Sequence, residues 1–350
     1  MSEIKEMVVE VVEKIFKDKV EKETVDLLEE NKWAEDVWKL LLENELHHVA
    51  VSEEEGGAGG DVEDLFALYF LIGKYAAPVP FIEHTLANFF LQQVDLKGNG
   101  QLTTYSITNP LQLNGDMLTG TLKHVGWAQY AEKIVTVARE DSQHFIVVAD
   151  LKDAVLKNST NLAAEPRSEV VFENMKALNK MPITEKQYDA FKKLVTAASV
   201  SKMSGALTTS FQLSVQFSKE REQFGRPIHR FQLVQQHLAN MAGEQTLMTV
   251  AVNNILTLLA DGREENEVAY ARIRMDDASR AVATSAHQVH AAIGVTHEHR
   301  LHQYTRRLWA WRDEELTARY WKKQLAQQLL ETNLDLWESI TDQVETHVHA

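Results

Sequence analysis

The chain has 350 residues, of which 44% are hydrophobic and 25% charged, so it is long enough for two or three domains with sizeable cores. Its formal net charge of -15 argues against non-specific binding to nucleic acid or to an anionic membrane, although an anionic small ligand can bind where cations gather. The absence of cysteine excludes disulfides, thiolate metal sites and a cysteine nucleophile.

The N-terminal residues 1–16 alternate apolar and charged side chains at helical spacing. They lack the uninterrupted apolar stretch of a signal peptide, and no apolar run in the chain reaches the ~20 residues of a membrane span. The sequence therefore predicts a cytoplasmic protein without a membrane segment.

Three regions with different patterns follow one another, which predicts an α+β fold that is mainly α. Residues 1–97 carry amphipathic helical repeats, interrupted by the glycine-rich residues 53–61 and by the sequence APVPF. Residues 98–181 contain short β-prone runs separated by Asn, Gly and Asp, typical of a small antiparallel β domain. Residues 182–350 are expected to form a C-terminal four-helix bundle.

The apolar positions of the last region support the bundle. Helices are expected over roughly 185–220 and 300–330, and the second reads as one uninterrupted helix through RRLWAWRDEELTARYWKKQLAQQ. Two further helices are indicated by apolar residues that recur at steps of three, four or seven. These residues are Val234, Leu238, Met241, Met248, Val252, Ile255 and Leu259, then Val268, Met275, Val282 and Val289.

The most specific signal lies around residue 221. The sequence REQFGRPIHRFQLVQQHLANM, residues 221–241, resembles the signature of the acyl-CoA dehydrogenase family at almost every position. The sequence AHQVHAAIGVTHEHRLHQYTRR, residues 286–307, is similar to a second family segment, and VSEEEGGAGGD, residues 51–61, to a third. The three-part architecture is also that of the family. The chain is thus identified as a family member of the short, divergent bacterial type.

The resemblance implies an FAD-dependent enzyme that dehydrogenates an acyl-CoA thioester and passes electrons to an electron-transfer flavoprotein. A guanidinium suits the diphosphate of FAD, and the free N–H groups that begin the next helix favour the same anion, so Arg221 is the first candidate. The alternative is a structural turn in which Arg221 pairs with a carboxylate. The other residues at family cofactor positions are Gln223, Phe224, Ile228, Gln232, Thr108, Thr317, Gln288, Ala292 and Gly294.

Family members bind FAD across a subunit interface, so the resemblance implies a homodimer or a homotetramer with composite sites. Gln288 and Gly294 match positions that a neighbouring subunit offers to the cofactor. A heteromeric assembly with a second dehydrogenase chain is the other possibility that the sequence leaves open.

Dehydrogenation needs a carboxylate base that takes a proton from the acyl α-carbon. By its spacing from Gln288, Glu315 stands where the family base stands, with Glu314 and Asp313 as weaker candidates. The alternative is that Glu315 simply faces solvent on a continuous helix. Some family members carry the base on the first bundle helix, but that position is Val195 here.

Several departures from the family weaken the expectation of autonomous catalysis. The paired glycines of the second motif are Ala291 and Ala292, whose methyl groups could crowd a cofactor. The flavin-ring loop survives only as Thr108-Asn109-Pro110. The alternative functions are therefore a catalytically weak subunit that contributes FAD contacts to a heteromeric dehydrogenase, and a flavin-free structural homologue.

Two further groups of residues allow more than one interpretation. Five histidines surround the second motif, but without a converging carboxylate we expect a turn and cofactor cleft rather than a metal site. Trp127 stands either near the flavin ring or in the ordinary core. The histidines are His287, His290, His297, His299 and His302.

Overall fold

The computed structural model describes residues 3–51, 57–98, 100–263, 266–314, 316–331 and 337. It confirms the expected order of helical, sheet and helical parts, and the fold is mainly α. The first part holds α1 (Glu3–Lys19), α2 (Lys22–Asp26), α3 (Glu35–Glu43), α4 (Val62–Tyr75) and α5 (Phe81–Gln92). The helices of the last part are α6 (Glu185–Glu220), α7 (Gln232–Asp261), α8 (Glu267–His290), α9 (Leu301–Arg312) and α10 (Ala318–Glu331).

The apolar face that the sequence predicted for α1 is only partly buried: Val8 is buried, Met7 is exposed, and Ile4, Val11 and Ile15 are half-buried. Val8, Val12 and Phe16 of α1 are each less than 5% exposed, whereas Met7 remains 58% exposed. α4 begins with a capping box, in which the Asp61 carboxylate accepts from the backbone N–H of Asp64 and the backbone N–H of Asp61 donates to the Asp64 carboxylate. α4 packs against α6 and α1 packs against α4, so the first and last parts share one hydrophobic core.

The helices α4 and α6 approach each other closely because each places a glycine at their crossing. A Cβ on Gly73 would lie 1.7 Å from the carbonyl oxygen of Lys202, and one on Gly205 would lie 2.0 Å from that of Phe70. Neither position has room for a side chain, so these glycines set the spacing of the two helices.

The middle part is a seven-stranded sheet in the order β5-β6-β2-β1-β3-β4-β7. The expectation of a purely antiparallel domain is wrong in one respect, because β1 and β3 run parallel. After β2, the chain crosses over the beginning of β1. It then forms β3 on the other side of β1, and β3 runs in the same direction as β1. The strands are β1 (Thr103–Asn114), β2 (Met117–Gly126), β3 (Lys133–Glu140), β4 (Gln143–Asp150), β5 (Val155–Thr160), β6 (Pro166–Lys176) and β7 (Asn179–Ile183).

The bundle forms as expected from α6, α7 and α8, with α10 packed on α8 and α9 packed on α6 and α8. The core positions predicted for α8, namely Val268, Met275, Val282 and Val289, are all less than 5% exposed. In α7, Met241 and Met248 are fully buried. The seven-residue repeat therefore identified the buried face correctly.

The expectation of one uninterrupted helix over residues 300–330 is wrong. α9 ends at Arg312, whose carbonyl oxygen accepts a hydrogen bond of 2.6 Å from the buried guanidinium of Arg272. Leu316 then turns into the core, where it is only 7% exposed. Thr317 precedes α10, and its side-chain oxygen accepts a long bond of 3.4 Å from the backbone of Tyr320. A buried apolar residue and a capping threonine thus interrupt a sequence of high helix propensity.

None of the helices in the described ranges combines the length and the apolar character that crossing a membrane requires.

Candidate functional site

The turn after α6 is a small hairpin that projects from one end of the bundle. Two short strands, β8 (Glu222–Gln223) and β9 (Arg226–Pro227), pair across the two-residue turn of Phe224 and Gly225. Both turn residues have positive φ, at 52° and 74°, the conformation that a tight hairpin of this type requires. Phe224 stands at the tip and is 93% exposed.

The candidate diphosphate ligands lie around this hairpin. Arg221 follows α6 directly, and its exposed guanidinium forms no hydrogen bond or ion pair with the described residues. The backbone of Ile228 donates to the carbonyl of Arg221 over 2.8 Å, and Ile228 anchors the hairpin with only 9% exposure. Gln232 begins α7, and both it and Gln223 are exposed. The structure therefore brings these residues together in an open corner, and the alternative of a carboxylate partner for Arg221 is not observed.

The second sequence motif lies at the same end of the bundle in the same chain. The ring of Phe217, in the last turns of α6, stacks on His290 at the end of α8 with ring centres 4.5 Å apart. Gln288 is exposed in the last turn of α8, and Ala292 is exposed just after it. Gly294 is buried, and a Cβ there would lie 2.9 Å from the Cβ of His290. This turn therefore lies at the same end of α6 as Arg221.

Ala291 occupies a backbone conformation that suits glycine better. Its φ is 53° and its ψ is -140°, a combination that brings the Cβ of an L-residue into conflict with its own backbone. The family motif has glycine at this position. The backbone here keeps the conformation that suits glycine, although the residue is alanine.

The remaining candidate cofactor residues, Thr108 and Thr317, lie near the other end of α6. Thr108 is half-buried where the pairing of β1 with β3 is irregular, and the neighbouring carbonyl of Ile107 accepts a 2.7 Å bond from Tyr188 in the first turn of α6. Thr317 lies one turn before Trp321, whose indole donates over 3.1 Å to Thr196 of α6. From Thr196 to Arg221 the helix rises by roughly 37 Å. Glu315 lies outside the described residues.

Between these two ends, a narrow cavity lies where the first helical part, the sheet and the bundle meet. Its volume is about 30 Å³, enough for one or two water molecules. Val195, the position that carries the base in some family members, is part of its wall. The lining residues are Ile82, Glu83, Tyr105, His124, Gly126, Arg167, Val195, Ala198, Ser199, Lys202, Trp311 and Glu314.

A buried ion pair closes one side of this cavity. The guanidinium of Arg167, on β6, donates to both carboxylate oxygens of Glu314 over 3.0 and 2.7 Å, and to Glu165 over 3.2 Å. Asn161 also donates to Glu314 over 2.7 Å. Burial opposes the charged form of Arg167, but the carboxylates of Glu314 and Glu165 outweigh it and raise the pKa of the guanidinium. Glu314, a weaker candidate for the base, is therefore held in a structural ion pair.

The same cluster extends through Glu165. Its carboxylate accepts from the indole of Trp311 over 2.7 Å and lies 3.2 Å from the guanidinium of Arg307. Burial alone would raise the pKa of Glu165, but the guanidinium groups of Arg307 and Arg167 lower it to about 2. Two guanidinium groups and two carboxylates thus balance one another inside the protein. Removing any one of the four would leave a buried charge without its partner and destabilise the fold.

Glu83 and Lys202 face the cavity from α5 and α6. Burial raises the pKa of the Glu83 carboxyl, against the opposing effect of Lys202 and Arg167. The ammonium of Lys202 lies 4.8 Å from the ring centre of Trp311. A carboxyl with a raised pKa in a cavity is a candidate proton acceptor, and the sequence motifs did not indicate it because it lies outside all of them.

A second, wider cleft adjoins the cavity on the other side of Arg167 and Glu314. Its volume is about 620 Å³, and it lies between residues 160–162 and the end of α9. His124 lines both spaces. Trp127, proposed as a possible flavin neighbour, is instead 4% exposed and packs edge-on against Trp33 at 5.7 Å, so its alternative role in the core is the one observed.

The histidines of the second motif form an aromatic cluster. The rings of His290 and His299 lie 4.6 Å apart, and those of His297 and His302 lie 5.0 Å apart. Burial lowers the pKa of His290 and of His302 to about 4 in each case. Within the described ranges no three His, Asp or Glu side chains are grouped so as to hold a metal ion.

The two parts of an expected FAD site differ in how well they fit the cofactor. At the hairpin corner, an exposed guanidinium, an exposed aromatic ring and the start of a long helix fit a diphosphate. At the junction of the three parts, the 30 Å³ cavity is too small for a flavin ring, and Arg167 and Glu314 lie between it and the wider cleft of about 620 Å³. The hairpin corner therefore fits one half of the cofactor, whereas the central cavity does not fit the other half in this conformation.

Comparison with known proteins agrees with the architecture. Residues 2–100 match the family model described as "Acyl-CoA dehydrogenase, N-terminal domain", and residues 195–312 match "Acyl-CoA dehydrogenase, C-terminal domain". The chain is 24% identical over 310 residues to "Acyl-CoA dehydrogenase IpdE2" of Mycolicibacterium smegmatis, covering 88% of this chain and 93% of the relative.

Solved structures show the same fold. A chain of the "ChsE4-ChsE5 complex from Mycobacterium tuberculosis" superposes with a TM-score of 0.85 at 21% identity, covering 95% of this chain and 99% of the other. A chain of a structure titled "Electron transferring flavoprotein of Acidaminococcus fermentans" gives a TM-score of 0.81 at 18% identity, covering 95% and 99%.

Proposed function

Because the chain belongs to the acyl-CoA dehydrogenase family of oxidoreductases, we propose that it is one subunit of a heteromeric, FAD-dependent acyl-CoA dehydrogenase. In this proposal its hairpin corner holds the diphosphate of a flavin whose ring lies in the cavity of a different chain. The small volume of the central cavity, about 30 Å³, is the observation that carries the proposal.

The candidate diphosphate residues and the candidate flavin-ring residues lie far apart in this chain, which supports a cofactor site shared between two chains. Arg221 and Gln288 lie at one end of α6, whereas Thr108 lies near Tyr188 and Thr317 near Thr196, toward its other end. The helix rises by roughly 37 Å between Thr196 and Arg221. The diphosphate residues of one chain therefore reach a flavin ring only if another chain holds it. The relative titled as the complex of ChsE4 with ChsE5 is an assembly of two different proteins, as we propose here.

Each residue of the corner has a defined task in this proposal. The guanidinium of Arg221 pairs with the diphosphate, and the N–H groups that begin α7 add their partial charge. Phe224 packs against the partner chain or the cofactor, since a fully exposed aromatic side chain gains most from being covered. Bound FAD would accept the hydride from the acyl β-carbon, and an electron-transfer flavoprotein is the proposed electron acceptor.

An autonomous homo-oligomeric enzyme is the second candidate. It would require Glu315 to act as the base and the Arg167–Glu314 pair to open when the flavin binds. The charge balance of the cluster disfavours this, because separating a buried ion pair costs several kcal/mol, about 3 to 5 when one partner is lost.

Flavin content and composition of the purified protein test the proposal. We expect the chain expressed alone to be nearly colourless. Tagged in its source organism, it should co-purify with a second acyl-CoA dehydrogenase chain and one FAD per two chains. Acyl-CoA should bleach that flavin, and Glu315→Gln should leave the bleaching intact. A yellow homo-oligomer with one FAD per chain, bleached by acyl-CoA, would overturn the proposal.

Arg221→Ala should lower the flavin content of the two-chain complex without dissociating it. Arg226→Ala is the matched control on the same hairpin, since its guanidinium already lies 4.3 Å from the ring centre of Phe231. Equal flavin loss in both variants would remove the specific role assigned to Arg221.

A further inference from the structure

The outward face of α7 is almost free of charge. Of the 30 residues of this helix, only Glu244 and Asp261 are charged, whereas 25% of the whole chain is charged. One face of α7 builds the bundle core, and the opposite face of such a helix normally carries charged side chains. Here that face leaves Leu247 and Val250 exposed, by 45% and 63%. An uncharged face with exposed apolar side chains is typical of a surface that another protein covers.

Gly243 lies at the centre of this face. Ala239 and Leu247 lie about one turn before and after it, and Val250 lies about two turns after it. A glycine inside a helix lowers the stability of the helix relative to alanine. Apart from the backbone of α7 itself, no atom of the described residues lies within 4 Å of the place that a Cβ on Gly243 would take. Packing inside this chain therefore does not require glycine there, whereas the close approach of another chain does.

A shallow trough runs between this face and α8. Its volume is about 860 Å³. Small residues line it from both helices, namely Ala239 and Gly243 on α7 and Ala281 and Thr284 on α8. Because the side-chain ridges of one helix pack into the grooves of another, the trough fits a helix of a second molecule.

The charged residues that line the trough cancel one another. Glu244 pairs with Arg274, and Asp277 lies 2.6 Å from Arg280. The lining therefore has no net charge, although the chain carries -15. Two copies of so acidic a chain repel each other, and they do so least where a neutral face meets a neutral face. Covering these ion pairs leaves no charge buried without its partner.

The side chains around Gly243 are complementary in size to a copy of themselves. Ala239 and Leu247 lie equally far from Gly243 on opposite sides. When two α7 helices cross antiparallel about a two-fold axis at Gly243, Leu247 of each copy lies against Ala239 of the other, a large side chain against a small one. A second copy of the chain is therefore the occupant that both the charge and the shape of this face favour.

We propose that the outward face of α7 binds the same face of a second copy of this chain, with a two-fold axis at Gly243. The interface does not depend on the shared flavin site, because Gly243 lies roughly 16 Å along α7 from the hairpin corner. Together the two proposals describe a particle with two copies of this chain and two copies of the flavin-holding partner.

Disulfide cross-linking tests the antiparallel contact, because the chain has no cysteine of its own. Ala239→Cys and Leu247→Cys chains are co-expressed, with the partner chain if one is present, and oxidised with copper phenanthroline, which takes up the electrons of each thiol pair. We expect a covalent dimer of one chain of each variant on a non-reducing gel. Either variant alone should give none, since like residues lie roughly 12 Å apart along the helices, beyond the ~7 Å that a disulfide spans between Cα atoms. Ala326→Cys, exposed on α10, is the control and should not cross-link to Leu247→Cys.

Sedimentation velocity of the full chain, with its partner if one is present, tests the association itself. Val250→Glu places a carboxylate in the contact and should halve the number of copies of this chain per particle. Leu330→Glu, at a position on α10 that is 87% exposed, is the matched control and should change nothing. Gly243→Leu should also separate the copies, and since leucine favours the helix more than glycine does, this loss cannot be attributed to unfolding of α7. Flavin content per chain should stay the same in all three variants.

Each outcome decides the proposal. A single copy of the wild-type chain per particle would overturn it, as would a copy number that Val250→Glu and Gly243→Leu leave unchanged. Covalent dimers formed equally well by either cysteine variant alone would exclude the antiparallel two-fold contact. A covalent product that contains the partner chain in place of a second copy would assign the face to the partner and overturn the proposal. A particle without partner or flavin that Val250→Glu still halves would support this interface and refute the shared flavin site.

Discussion

Replacing Glu165 by Gln removes the anion that faces two buried guanidinium groups. In the wild type, Glu165 accepts hydrogen bonds from Trp311 and Asn161 over 2.7 and 2.9 Å, and it lies 3.2 Å from both Arg307 and Arg167. The amide keeps one acceptor oxygen but turns an NH₂ group toward donors. It also leaves two buried cations with only one carboxylate.

The shift in pKa sets the size of the effect. Folding lowers the pKa of Glu165 from 4.5 to about 2, so its ionised form stabilises the folded state. A shift of this size corresponds to about 3 kcal/mol of stability at pH 7. Because the folded-state pKa is the lower one, this contribution is complete above the unfolded-state pKa and is lost as pH falls toward 2. At pH 3 it should be reduced to less than half of its value at pH 7.

Urea denaturation followed by tryptophan fluorescence measures the free energy of unfolding at pH 7 and at pH 3, at equal protein concentration for wild type and variant. Glu169→Gln is the matched control, because Glu169 forms an exposed ion pair with Lys157 and should tolerate the change without measurable loss. The reasoning is refuted if Glu165→Gln is as stable as the wild type at pH 7. A stability difference that stays constant down to pH 3 would refute it equally.

Two further substitutions test backbone positions. Ala291→Gly should stabilise the protein by about 1 kcal/mol, since relief of the positive φ exceeds the entropy that glycine adds to the unfolded chain, and Ala292→Gly should give no such gain in the same denaturation assay. Gly205→Ala should destabilise it by about 3 kcal/mol, because the new Cβ would lie 2.0 Å from the carbonyl oxygen of Phe70. A melting temperature of Gly205→Ala equal to that of the wild type would contradict the close crossing of α4 and α6.

The helical periodicity of the sequence was sufficient to predict the bundle. Val268, Met275 and Val282 recur every seven residues and are all buried, because a helix returns to the same face at that step. The sequence also indicated a turn at Phe224 and Gly225, since glycine and the nearby proline restrict the backbone locally, although its two paired strands are seen only in the structure. Features that depend on neighbours in the chain were therefore predicted from the sequence.

Features that depend on distant residues were decided only by the tertiary structure. The sequence RRLWAWRDEELTARYWKKQLAQQ favours a continuous helix, yet the burial of Leu316 and the bond from Arg272 to the end of α9 break it. The parallel pairing of β1 with β3 depends on the path that the chain takes between strands, which no local pattern records.

The central cavity shows the same limit. Arg167 and Glu314 are 147 residues apart, and their charges give no local signal that they will meet. Only the packing of the sheet against the bundle brings them within hydrogen-bonding distance and closes the cavity between them. The sequence by itself determined the family and the candidate residues of the hairpin corner, because both are written in contiguous motifs. Whether the central cavity has room for a flavin ring was decided by contacts between residues far apart in the chain.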